Sequence, residues 1–313
     1  MSSVANLVFR LILSFLLSVN AAWIYSTRVE VPNLSARIAL ETAIVEHRAP
    51  SPYSFRILVP EVAHFLQKSL IDAGLSQLQA HRLTYLSINT LCILVLLLGA
   101  IKLGRFESIS EVAICAFLIY AGLNVALFDH AYQPWTLVEA SLIVAAVLAL
   151  SHHKYLIVGI APLATLNRET GLLLVPSILL YLAIQGGAHL RRTWFSVVVA
   201  GFLSVVVEIL LRKNIPYSGQ EIGLPEIINL NLQGSSILLA VFNFTLMFGC
   251  TCVLYLFSGQ AKIHRLAASL GWLAPFLFAI SIFGVWYEVR LLILMLPFAS
   301  VLATSSLRKN TLP

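Results

Sequence analysis

Long apolar runs separated by short polar connections set the rhythm of this chain. The runs cover roughly residues 7–25, 82–101, 111–128, 134–150, 155–166, 168–185, 193–211, 235–257, 266–284 and 289–306. By the hydropathy rule these predict about ten transmembrane helices in an all-α bundle, one integral membrane domain over residues 1–313. Segment 155–166 is short and contains Pro162, which predicts a broken or partly inserted helix. Within the first run, Arg10 stands ahead of an apolar stretch that ends Val19-Asn20-Ala21, a pattern shared by cleaved signals and retained anchors. Trp23 and Tyr25 continue it as an interfacial belt, which favours the anchor.

The one long polar connection, 27–81, has its own periodicity. Leu34, Ile38 and Val45 recur near helical spacing, with Arg37, Glu41 and Arg48 left for a polar side. This predicts a short amphipathic helix on the membrane surface. Pro50 and Pro52 break it. Pro60 suits the first turn of a second helix whose stripe is Val62, Phe65, Leu66, Ser69 and Leu70, and Gly74 ends that helix.

Composition agrees: 59% of residues are hydrophobic, 11% are charged and the mean hydropathy is +0.90, which excludes a soluble domain. The net charge of +6 does not point to nucleic acid, because the basic residues fall mostly as pairs between apolar runs. Cys92, Cys115, Cys250 and Cys252 all lie within apolar runs, with no disulfide or zinc spacing.

The positive-inside rule orients the spans. Lys102, Arg105, Lys154, Arg191, Arg192, Lys262, Arg265, Arg308 and Lys309 fall in alternate short connections or at the C-terminus, and Arg10 joins them. The opposite short connections carry Arg168, Arg212, Lys213 and Arg290. Both termini are therefore expected in the cytoplasm of a cell-membrane protein. In that topology only Glu107 and Glu111 of the 14 acidic residues are cytoplasmic. Acidic residues barely affect insertion, so their bias to the outer side needs a different cause.

Three polar clusters collect on that outer side: Phe55-Arg56 before Ile57-Leu58-Val59-Pro60, then Asn167-Arg168-Glu169-Thr170, then Tyr287-Glu288-Val289-Arg290. Ionised groups at membrane depth cost about 2.5–3.5 kcal/mol each on insertion scales and tend to mark working sites. A plainer reading lets Asn167 cap a helix with Glu169 in its first turn, and lets Glu288 and Arg290 pair beside belt aromatics. That reading leaves Arg168, unfavourable at a helix N-terminus, without a reason.

The layout of one helix, then an outer loop running from Ala36-Arg37-Ile38-Ala39-Leu40 to Pro50-Ser51-Pro52-Tyr53, then a helix bundle, resembles the GT-C superfamily of membrane glycosyltransferases. Phe-Arg-Ile-Leu-Val-Pro, Asn-Arg-Glu-Thr and Glu-Val-Arg resemble elements of a bacterial group of GT-C-like proteins. Where such enzymes usually carry an acidic residue or pair after the first helix, this chain has Glu30. The resemblance implies sugar transfer from a polyprenyl-phosphate donor to a glycan or lipid acceptor at the outer face, in cell-envelope glycan assembly.

On the residues themselves, Arg56, Arg168 and Arg290 are planar donors suited to phosphate oxygens, expected around one cavity. Glu169, Asp129 and Glu288 are carboxylates suited to deprotonate an acceptor hydroxyl or to hold a divalent cation, with Glu169 favoured as base and Asp129 next. With no ligand bound, Glu169 and Glu288 are expected to pair with the arginines. A cofactor is otherwise left open. The rival readings are a transporter or flippase for a lipid-linked substrate, which needs polar residues across the midplane, and a non-catalytic membrane scaffold.

Overall fold

The computed structural model describes residues 3–51, 53–127, 135–185, 187–215, 223–258, 263–286 and 288–308. Among the described residues all regular structure is helical, and eight helices are long and apolar enough to cross a membrane. The protein is thus a multi-pass helical membrane protein. The expected spans 155–166 and 168–185 are instead the shorter helices Lys154–Asn167 and Glu169–Gln185.

Helix α1 (Ser3–Tyr25) does not stop at the first connection. It passes through a π-helical turn, Ser26–Glu30, and a 3₁₀ turn, Val31–Asn33, into α2 (Leu34–Val45). The rotation this sets differs from the one predicted. Helix α2 buries Leu34, Arg37, Glu41 and Ile44, so its charges face the protein rather than solvent. Helix α3 (Leu58–Asp72) buries Val59, Pro60, Ala63 and Gln67, while the stripe of Val62, Phe65 and Leu66 is exposed. Gly74, at φ 97°, closes α3 as its sequence position implies.

The inward charges of α2 form a compact network. Arg37 Nη2 lies 3.1 Å from Glu30 Oε1, Asn89 Nδ2 donates to the same oxygen over 3.3 Å, and the Arg37 guanidinium stacks on Tyr85 at 4.9 Å. Glu41 accepts from Gln67 Nε2 over 2.8 Å and from the Tyr85 hydroxyl over 2.9 Å, with His81 Nδ1 3.3 Å away. Glu41 thereby ties α2 to α3 and to α4 (Gln77–Gly104), whose start is fixed by a Ser76–Gln79 capping box.

The bundle centre joins α4 to α5 (Ile109–Leu127) and α6 (Trp135–His152) around Ile93, Leu96, Leu97, Ala140, Val144 and Val147. A Cβ on Gly99 would fall 2.3 Å from Val144 Cγ1, and Ser141 Oγ donates to the Cys92 carbonyl over 3.0 Å. Close approach and an interhelical hydrogen bond are what hold helices together in lipid, where burial in a neighbour gains little hydrophobic energy.

Helix α7 (Ile157–Asn167) has 11 residues. They rise only about 16 Å, near half of a ~30 Å hydrocarbon layer. The chain therefore breaks early, at Arg168, whose backbone is extended (φ −164°, ψ 144°). A 3₁₀ segment, Glu169–Leu173, leads into α8 (Leu174–Gln185). Then follow α9 (Gly187–Asn214), α10 (Leu224–Leu232), α11 (Gly234–Phe257), α12 (Ile263–Leu270) and α13 (Ala274–Phe283). A 3₁₀ segment, Val289–Met295, opens α14 (Leu296–Arg308). Each polar cluster thus precedes a helix with proline in its first turn: Pro60 in α3, Pro176 in α8 and Pro297 in α14. Proline lacks the N–H that an early helical position does not need, and it keeps the preceding turn from continuing as α-helix.

Candidate functional site

The three clusters come from distant points of the chain and meet at one end of the bundle. Arg56 lies in the break between α2 and α3, with its backbone N–H donating to the Tyr53 carbonyl over 3.0 Å. Its guanidinium sits 5.3 Å from the Tyr53 ring and 5.5 Å from the Trp135 ring. It donates in two-point fashion to Glu169, from Nε to Oε2 over 3.2 Å and from Nη2 to Oε1 over 2.7 Å. Burial works against the Arg56 charge, but the Glu169 carboxylate outweighs it and holds the guanidinium pKa above the ordinary arginine range.

Arg168 finds a partner that no sequence motif marks. Its Nη1 lies 3.1 Å from Glu139 Oε2, inside the second turn of α6, and the Thr170 hydroxyl donates to the other Glu139 oxygen. Asn167 is the last residue of α7 and not a helix cap; its Nδ2 donates to the Trp135 carbonyl over 2.8 Å. The turn is allowed by Gly171, where a Cβ would lie 2.2 Å from the Ala164 carbonyl carbon and oxygen. Only a residue without Cβ lets the 3₁₀ segment press on the α7 backbone this closely.

Arg290 Nη2 donates to Glu288 Oε2 over 2.6 Å. The loop carrying this pair is held by Asn231 on α10, buried and using both ends of its amide: Nδ2 donates to the Gly284 carbonyl and Oδ1 accepts from the Trp286 N–H, each over 2.8 Å. Neither Glu139 nor Asn231 was among the expected site residues. A carboxylate within an apolar span was the available signal for Glu139; Asn231 had none.

A cavity of about 470 Å³ opens among these groups, with Arg56, Arg168, Glu169, Thr170 and Arg212 on its polar side. Ile280, Phe283 and Leu291, the last adjoining Arg290, make its apolar wall. Arg212 comes from the end of α9, lies 5.0 Å over the Phe55 ring and pairs with Glu208 at 2.5 Å. Arg56, Arg168, Arg212 and Arg290 therefore each pair with a glutamate, but not with all their hydrogens. Among the described residues, Arg168 Nε and Arg290 Nε and Nη1 are buried without a hydrogen-bond acceptor. Leaving such donors empty costs about 1–3 kcal/mol each, more when charged.

Asp129, with His130 and Tyr132, and Tyr287 lie outside the described residues. Among the described residues, no group of three or more His, Cys, Asp or Glu side chains is placed to hold a metal ion. The four cysteines are free. Comparison with models of protein families, with curated proteins and with solved structures gives no match to this chain.

Proposed function

We propose that this protein is a GT-C-like glycosyltransferase that moves a sugar from a polyprenyl-phosphate donor to a glycan or lipid acceptor at the extracytoplasmic face of the cell membrane, in cell-envelope glycan assembly. The observation that carries this reading is a buried guanidinium donor without an acceptor on Arg168, which lines the cavity, with two more on Arg290, next in the chain to the lining residue Leu291. Planar donors of this kind are matched by phosphate oxygens. The apolar wall of Ile280, Phe283 and Leu291 suits the lipid end of the donor.

In the transfer, the acceptor oxygen attacks the anomeric carbon as the bond from that carbon to the phosphate oxygen breaks. The acceptor proton passes to a carboxylate, and polyprenyl phosphate leaves with its added negative charge held by Arg168 and Arg290. We assign the base to Glu169. Glu169 is engaged by Arg56 at two points, so it is a poor proton acceptor while that pair is intact. A donor phosphate that draws Arg56 toward itself frees Glu169 for the acceptor, which makes activation depend on donor binding. Asp129 stays the second candidate for this role. Among the described residues the buried Arg–Glu pairs gather at one end, which counts against a transporter, whereas the pairing itself favours a non-catalytic scaffold as the rival.

Binding of a short polyprenyl monophosphate and of the matching polyprenol to the protein in nanodiscs tests the reading. Phosphate-dependent binding that is lost in Arg290→Gln is expected; equal binding of both lipids overturns it. Orientation is tested separately. An impermeant thiol reagent should label Ser51→Cys in intact cells and not His153→Cys. The reverse pattern would turn the site toward the cytoplasm and remove the lipid-phosphate donor.

A further inference from the structure

At the opposite end of α1 and α4 lies a second groove, of about 350 Å³, that the arginine cavity does not account for. Its charged residues are Arg10 on α1, Lys102 near the end of α4, and Arg105 and Glu107 just beyond. Among the described residues, none of the three cations pairs with a carboxylate. Carboxylates are available at this end: Glu111 takes Arg308, from Arg308 Nε to Glu111 Oε1 over 2.7 Å. The three cations are thus left open while a fourth, close by, is neutralised.

Two of them are held in place. Arg10 Nε donates to Asn6 Oδ1 over 3.0 Å, and Asn6 Nδ2 in turn donates to the Glu107 carbonyl, tying α1 to the connection after α4. Arg105 has φ 50°, a left-handed conformation that an L residue with a Cβ disfavours. Gly104, the residue usually placed at such a position, is used otherwise: a Cβ there would lie 2.3 Å from the Phe106 ring. Arg308 Nη2 donates to the Arg105 carbonyl over 3.0 Å and fixes the turn. Below the cations the groove is apolar, with Leu7, Leu11 and Leu98, and Leu7 and Leu11 are 56% and 46% exposed on the outside of α1.

We propose that this groove is a binding site for an anionic phospholipid, its phosphate among Arg10, Lys102 and Arg105 and an acyl chain along Leu7, Leu11 and Leu98. Basic pockets between membrane helices hold anionic headgroups by charge and hydrogen bonding. The apolar floor selects a lipid over a free anion, because it offers a chain surface that would otherwise face bulk lipid without a fixed partner. The site is independent of the proposed transferase reaction.

The test is native mass spectrometry of the full-length protein released from detergent with phosphatidylglycerol or phosphatidylcholine. Retention of phosphatidylglycerol at least tenfold over phosphatidylcholine is expected, falling to parity in an Arg10→Gln, Lys102→Gln, Arg105→Gln variant. Should the triple variant not fold, Arg105→Gly keeps the left-handed turn at no steric cost, and Lys102→Gln leaves the backbone untouched. Each is expected to lower phosphatidylglycerol retention severalfold at unchanged melting temperature. Equal retention of the two lipids by the unmodified protein, or unchanged preference in these variants, overturns the proposal. Displacement of phosphatidylglycerol by millimolar inorganic phosphate also overturns it, since the site would then recognise an anion and not a lipid.

Discussion

The network around Glu41 and the cavity around Arg168 are built from the same residue types, arginine and glutamate with aromatic neighbours, and both are buried. They differ in what surrounds the charges. Around Arg37, Glu41 and Tyr85 the free space is about 10 Å³, against about 470 Å³ beside Arg56 and Arg168. The first holds a water at most; the second admits a sugar phosphate in part. Glu41 has both oxygens engaged by Gln67 and Tyr85, whereas Arg168 and Arg290 keep buried donors empty. His81 and Asn89 also carry unpartnered atoms in the Glu41 network, but neither lines the Arg168 cavity. Buried charge by itself therefore does not identify a site. Unfilled hydrogen-bonding capacity next to empty space does.

The comparison breaks most visibly at Glu41. Glu41→Ala leaves the buried donors of Gln67 and Tyr85 without their acceptor, at about 1–3 kcal/mol each. Membrane abundance should fall steeply, while glycan product per folded molecule stays near normal. A well-expressed Glu41→Ala that makes no product would transfer the functional role to the closed network.

Arg168→Lys should do the reverse. The ammonium keeps the charge but loses the planar two-point grip, so product should drop about 10²–10³-fold, the scale of removing one donor to a developing anion. Abundance should hold. Glu169→Gln should share this phenotype, because its amide oxygen still accepts from Arg56 while proton acceptance is lost. Normal glycan from a well-expressed double variant would leave the scaffold reading in possession.

Gly171→Ala tests whether the Arg168 turn depends on contact with α7. The added methyl meets backbone and not a movable side chain, which puts the cost at about 3 kcal/mol. Product and melting temperature should fall together, and an unchanged melting temperature would mean that the turn relaxes freely. The smallest effect is expected for Asn231→Ala, which orphans the Gly284 carbonyl and the Trp286 N–H at about 1 kcal/mol or somewhat more. Product should fall several-fold with little change in abundance, through displacement of the Glu288–Arg290 loop. A fall in abundance with full activity per molecule would make Asn231 a purely structural clamp.

Much of this was legible in the chain. Hydropathy located the long apolar helices, the shortness of 155–166 marked the early break, and the three arginine clusters stood out because charge is rare in apolar surroundings. These properties are local: solvation cost and backbone chemistry act residue by residue, so spacing along the chain reports them. Tertiary structure alone decided which side of α2 turns inward, that Arg168 takes Glu139 and Thr170 while Arg56 takes Glu169, and that Asn231 holds a loop fifty residues away. Those outcomes depend on the rotation of each helix about its axis and on which side chains share a depth. Neither is encoded by hydropathy, because a carboxylate in an apolar span costs the same to insert whichever arginine it later meets.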